Sequence, residues 1–179
     1  LIVKNKNRGF YQVNEKDFNY LWEIMEVYIT VIEFYYHNEQ YLRAIELCKQ
    51  AYSIVNQETV LDKQEKQYID NVSYIYYCDG LCNEQIGQVM QAYDCYKKVI
   101  DMLEAQSIKD LYSTRRLYFS LNNIGRIYMT LKEYEKAIEM FGESIKCMES
   151  IRDMWKEEDK ENYNIVCSNK SMVEQLSIQ

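Results

Sequence analysis

The sequence predicts an all-α chain of about seven helices arranged as antiparallel pairs. Three observations predict it. There is no proline and there are only five glycines in 179 residues, so the usual helix breakers are scarce. Apolar residues recur at helical spacing along most of the chain. One stretch, 118–151, reads as two amphipathic helices joined by a tight turn, and weaker copies of it precede and follow. Leu121, Ile124, Tyr128 and Leu131 mark its first helix. Ala137, Phe141, Ser144 and Ile145 mark its second. Gly125 faces the crossing, with Ala137 as its small counterpart, because helices approach closely only where small side chains meet.

Residues 1–13 carry Lys4, Lys6 and Arg8 and little periodicity, and read as a linker or an N-terminal strap before a domain spanning 14–179. Asn14 suits a helix N-cap, with Glu15 and Asp17 in the first turn, where the helix dipole favours negative charge. The helix runs to about His37 through Phe18, Leu21, Trp22, Met25, Tyr28, Ile32 and Tyr35. The polar turn Asn38-Glu39-Gln40 ends it. Tyr41, Ala44, Cys48 and Ala51 mark the next helix, completing a degenerate copy over about 25–58. Ile32 takes the place of Gly125 there, so these two helices are expected to sit farther apart.

The second copy spans about 73–106, on Tyr76, Gly80, Gly87, Val89, Ala92, Tyr96 and Val99. Gly87 suits a left-handed cap. Asp79 and Asn83 stand where apolar and aromatic residues are expected. Either each bonds to a tyrosine hydroxyl or a backbone group in a partly wet seam, or both point into a binding site. The copies start 48 and then 45 residues apart. The added length is expected to extend helices across the junctions 52–68 and 103–117. A further step of 45 lands on Tyr163, and Ser171–Ser177 parallels Leu81–Gly87. The helix at about 159–177 thus reads as the first helix of an unfinished copy. It covers the third as a terminal unit must, with Lys160, Lys170 and Glu174 on its wet side.

Composition narrows the function. A net charge of −7 disfavours direct nucleic-acid binding and anionic membrane surfaces. No apolar run is long enough to span a bilayer, and no signal-peptide pattern opens the chain. It starts at Leu1, which suggests a fragment or processed product. The six cysteines, Cys48, Cys78, Cys82, Cys95, Cys147 and Cys167, all fall in helices and read as buried thiols of a reducing cytoplasm. Cys78 and Cys82 share a helix face but lack the paired spacing of zinc ligands, so core packing is expected and no metal or cofactor. The one histidine, His37, has no assigned nucleophile beside it and reads as a surface or groove residue. The acidic run Glu157-Glu158-Asp159 reads as a solvated turn. No catalytic constellation appears, and a non-enzyme is expected. The eighteen tyrosines mostly fall at periodic places and suggest core and inter-repeat packing, with Tyr36, Tyr74 and Tyr77 serving recognition as well.

The pattern Leu121, Ile124, Gly125, Tyr128, Tyr134, Ala137 and Phe141 resembles the tetratricopeptide repeat, a 34-residue helix–turn–helix. The resemblance implies a right-handed superhelical α-solenoid whose first helices line a concave groove. The long spacing resembles kinesin light chains and, more closely, the peptide-pheromone receptors of Gram-positive bacteria (the Rap, Rgg and PlcR class). The family's groove-facing places fall on Glu33, Tyr36 and His37, then Tyr74, Tyr77, Leu81, Glu84 and Gln85. In the third copy they fall on Phe119, Asn122, Arg126, Met129 and Thr130. In those receptors groove asparagines are implied to grip a peptide backbone, and Asn122 or Asn123 is the match here. The opposing reading packs Asn123 at a junction and leaves Asn122 solvated. The implied work is binding a peptide or protein segment, as the sensing part of a bacterial transcriptional or signalling regulator. The alternative is a general interaction scaffold or oligomerisation module, and a homodimer is compatible with both.

Overall fold

The computed structural model describes residues 2–5, 9–12, 15–57, 66–106 and 109–178. Two short strands, β1 (Ile2–Asn5) and β2 (Gly9–Gln12), pair antiparallel with Ile2 opposite Gln12. This hairpin stands where the sequence suggested a linker or strap. Seven helices follow: α1 (Glu15–His37), α2 (Tyr41–Gln57), α3 (Lys66–Gln85), α4 (Val89–Glu104), α5 (Leu111–Thr130), α6 (Tyr134–Ser150) and α7 (Glu157–Leu176). The all-α fold class is as expected from Glu15 on. The Asn14 cap and the Phe18 side chain lie outside the described residues, as does 58–65 of the first junction. At the second junction the helix is not continuous. The α4 helix ends at Glu104, and Asp110 caps α5 by accepting from the Ser113 N–H at 2.9 Å.

The chain forms two compact units, 1–86 and 87–179. Their boundary divides the second predicted copy. In the first unit α1 packs on α2 and α3, and α2 on α3. Tyr28 donates to Gln50 at 3.4 Å, and the Arg43 guanidinium lies over the Tyr35 ring, so α1 and α2 run antiparallel. In the second unit α5 packs on α4, α6 and α7, and α6 on α7. The Ser144 hydroxyl donates to the Tyr118 carbonyl at 2.8 Å while Phe141 meets Gly125, which makes α5 and α6 antiparallel too.

Equivalent places share burial. Ala44, Ala92 and Ala137 are fully buried, as are Cys48, Tyr96 and Phe141, and Ala51, Val99 and Ser144. Each trio is spaced 48 and 45 residues. The turns repeat as well: Glu39, Gly87 and Lys132 carry positive φ of 58°, 76° and 61°. Gly87 is the expected left-handed cap, while Glu39 and Lys132 adopt this conformation without glycine.

Three expectations are corrected. What lies against Gly125 is the ring of Phe141; a Cβ there would stand 2.6 Å from Phe141 Cε1. Leu131 is 46% exposed, because α5 ends one residue before it and it serves as the C-cap. Asp159 is no solvated turn residue. It is 3% exposed, third in α7, and bonds back to the Lys156 N–H at 2.7 Å. Among the described residues Tyr68, Tyr96 and Tyr118 are buried, and most other tyrosines are half-buried with an engaged hydroxyl or ring, as packing between helices requires.

The helix α7 comes where a fourth copy was expected, in a different register. Its inner stripe, Asp159, Tyr163, Val166, Lys170 and Val173, follows the α5 stripe Ser113, Leu117, Ser120, Ile124 and Ile127 by 46 residues, not 45. The short 3-10 turn at Arg152–Met154 lies in the connection between α6 and α7.

Candidate functional site

The first unit brings its candidate residues together along α1 and α3. The Tyr74 hydroxyl donates to the Glu33 carboxylate across the two helices. Tyr74 and Tyr77 stack with centroids 6.4 Å apart. Tyr36 makes edge contacts with His37 and Tyr41. Burial raises the Tyr36 hydroxyl above its usual range, and the nearby Cys82, Tyr41, Cys78 and Glu84 add to that. Tyr36, Tyr77, Leu81 and Glu84 are half-buried, while His37 and Gln85 are exposed.

The second unit holds Asn122, Arg126, Met129 and Thr130 along one face of α5. Arg126 and Thr130 are exposed; Asn122 and Met129 are half-buried. Met129 and Phe119 pack against the hydrophobic core around Phe141, and Phe119 also meets the Tyr118 ring at 4.4 Å. They therefore carry packing as well as surface. Thr130 donates to the Arg126 carbonyl at 3.0 Å. Asn123 is buried and accepts from Arg126 at 3.4 Å, so the junction reading suits it. Asn122 is not merely solvated: its side-chain Oδ1 is buried without a hydrogen-bond partner.

Asp79 and Asn83 fit the tyrosine-bonding reading. Both are buried. Asn83 donates to the Asp79 carbonyl and carboxylate, each at 2.8 Å. Tyr52 donates to the other carboxylate oxygen at 3.2 Å and stacks on Tyr76 at 4.3 Å. The pair thus locks α2 to α3 through a polar seam.

A largely buried, two-donor charge pair escaped the sequence reading. Arg115 grips Asp159 with two donors, at 3.0 Å and 2.5 Å, and Tyr118 adds a third bond at 3.1 Å. Burial alone would raise the Asp159 carboxyl. The bonds from Arg115, the Lys156 N–H and Tyr118 outweigh it and hold the group below the usual carboxylate range. No local pattern joins residues 44 apart, so only the tertiary fold reveals the pair.

The cysteines differ among themselves. Cys48, Cys78, Cys82 and Cys95 are buried thiols, but Cys147 and Cys167 are half-buried. Burial, and then the Asp79 carboxylate, push the Cys82 thiol up to about 12. It keeps its proton at neutral pH and is a poor nucleophile.

The fold and these faces define an all-α protein of stacked helix pairs with mixed aromatic, amide and charged surfaces. Residues 120–146 match the family model of the tetratricopeptide repeat. The match covers most of α5, the turn and most of α6, and it supports a tetratricopeptide-repeat protein, a kind that generally works through protein–protein interaction rather than catalysis. No curated protein matches the chain. Among the described residues, no helix is long and apolar enough to cross a membrane.

Proposed function

We propose that this chain binds a peptide or protein segment as the cytoplasmic peptide-sensing part of a bacterial transcriptional or signalling regulator with repeats of about 45 residues. The observation that carries the peptide reading is Asn122. Its buried acceptor has no partner, and such a group costs about 1–3 kcal/mol until it finds a donor. The N–H of an extended peptide supplies that donor, and the amide nitrogen can return a bond to a peptide carbonyl. Arg126 and Thr130 beside it are exposed and offer charge and a hydroxyl. In the first unit Tyr36, Tyr74, Tyr77 and Leu81 offer contact area at low entropic cost, with Glu33, His37 and Gln85 as polar neighbours. The left-handed turn residues at 39, 87 and 132 support the long-repeat reading. The regulator assignment rests on the resemblance to the pheromone receptors.

Calorimetry with a panel of short peptides tests the binding reading. A peptide that binds the wild-type chain is expected to lose about tenfold in affinity with Asn122→Ala and with Arg126→Ala. Unchanged affinity in both variants overturns the assignment of the α5 face.

A further inference from the structure

Three places on the first helix of each pair, seven and then four residues apart, are left open by the packing. In α5 they are Phe119, Arg126 and Thr130. They lie about 120° round the helix from the stripe that includes Leu117 and Ile124. With α4, α6 and α7 all packed on α5, Arg126 and Thr130 stay exposed and Phe119 half-buried. In α3 the same places hold Tyr74, Leu81 and Gln85, and in α1 Glu26, Glu33 and His37, all half-buried or exposed. The 46-residue step from α5 to α7 puts Ile165, Met172 and Leu176 there, at 54%, 51% and 37% exposure. The second helix of a pair rests on a different face of the first. On α5 that face holds Tyr118 and Gly125, which meet α6, and their counterparts on α7 are Asn164 and Ser171. The openness of Ile165, Met172 and Leu176 thus belongs to their place within a pair, not to the position of α7 in the chain. What is particular to α7 is that all three places are apolar.

We propose that α7 is the second wall of the Asn122 site, and that its ligand is an extended peptide with large apolar side chains at alternate positions. This rests on the reading that the α5 face binds a peptide, and names the kind of peptide. The first support is alignment. Near its start α7 bonds through Asp159 to Arg115 and Tyr118, and at its end Ser177 lines one cavity with Lys132 and Glu133, so it runs parallel to α5. Counting on from Asp159, Ile165 comes level with about 121–124 in α5 and Met172 with about 128–131. Asn122 falls in the first range, and Met129 and Thr130 in the second. The second support is spacing. Along the axis Met172 stands about 10.5 Å from Ile165, and Leu176 about 6 Å further on. Alternate side chains of an extended chain are about 6.8 Å apart, so three in a row each come within about 2 Å of one of these residues. The third is charge. Among Asn122 and the open places of α5 and α7, Arg126 is the one charge, in a chain with 27% charged residues. The open places of α1, by contrast, carry two carboxylates. Apolar side chains are what the α7 wall can take out of water, and the flexible Met172 suits more than one shape of them. The ligand is extended and not helical because Asn122 Oδ1 needs a donor, and the N–H groups within a helix are already engaged.

A display library of random seven-residue peptides, selected on the wild-type chain, supplies the probes, and calorimetry reads their affinities. The selected peptides are expected to carry Leu, Ile, Met or Phe at alternate positions. Ile165→Ser and Met172→Ser are each expected to weaken them about tenfold. The helical circular dichroism spectrum is expected to stay unchanged, because both side chains are largely exposed. Met172→Leu is expected to keep the affinity within about threefold. Leu42→Ser removes a 70% exposed apolar side chain from α2 and is expected to change nothing. An equal loss with Leu42→Ser would mean general adsorption to apolar surface and overturns the proposal. Selected peptides dominated by charged residues overturn it as well. So do peptides that lose affinity with Asn122→Ala but with neither serine variant on α7, and this result leaves the α5 reading standing. A library that yields no binder overturns both.

Discussion

Gly125 and Phe141 show what a single position decides. The periodicity of 118–151 placed Gly125 at the helix crossing, because a glycine inside a strong helical pattern costs about 1 kcal/mol and needs a packing reason. The identity of its neighbour was less legible. Ala137 looked like the counterpart because small residues often meet; in the fold the Phe141 ring fills the space instead. A Cβ at 125 would stand 2.6 Å and 2.8 Å from two Phe141 ring carbons. Phe141 is itself fully buried, so the ring has little room to retreat. Gly125→Ala gains about 1 kcal/mol of helix propensity and loses ~1–3 kcal/mol to overpacking. The expected net effect is a lower melting temperature. In the Gly125→Ala, Phe141→Leu double variant the smaller side chain yields, so the two losses combine to less than their sum. A melting temperature raised by Gly125→Ala would show that the ring moves freely.

At the scale of the element, helix existence was legible and helix attachment was not. Apolar periodicity marked the places of the helices, but it expected helix across 103–117, where α4 ends at Glu104 and α5 starts at Leu111. It carried no information on how α7 docks, because its key contact is a carboxylate in an acidic run. Glu157 and Glu158 are exposed as such a run suggests, but the third residue turns inward to Arg115 and Tyr118. The Trp155 indole N–H bonds to the Met148 carbonyl at 2.8 Å and fixes the approach. The register of α7, one residue beyond the expected step, follows from this docking. The consequence is a pH dependence. Asp159 has its carboxyl below the ordinary 3.8, so the fold favours its charged form. That contribution is complete above the ordinary carboxylate range and is lost as pH falls through the lowered folded value. Asp159→Asn is expected to cost up to about 3 kcal/mol at neutral pH, since Arg115 loses its partner in a largely buried site. Urea unfolding of both proteins checks it. The gap between them is expected to stay constant at neutral pH and to shrink below about pH 4. A gap that persists unchanged in acid would mean that the carboxylate charge is not what holds α7.

At the scale of the molecule, the sequence revealed the run of helices but not how their faces gather. The candidate binding residues came from family places, and the fold gathers them into two groups, along α1–α3 and along α5. The exposed apolar stripe on α1 was not singled out, because the helical pattern was read on Leu21, Trp22, Met25, Tyr28, Ile32 and Tyr35, and Tyr20, Ile24, Val27 and Phe34 lie outside it. Their equivalents in α3 and α5 are buried. That difference has an energetic reading. A helix in a stacked array draws its stability from neighbours on both sides. The helix α5 is enclosed by α4, α6 and α7, whereas α1 is supported by α2 and α3 and bare along its stripe. Local opening is therefore expected to cost less at α1 than at α5, by roughly 2 kcal/mol or more in a chain whose elements open separately. Native-state hydrogen exchange measures this, with amides of α1 exchanging through lower-energy openings than those of α5. Equal protection of α1 and α5 would mean that α2 and α3 alone hold α1 as firmly as three neighbours hold α5.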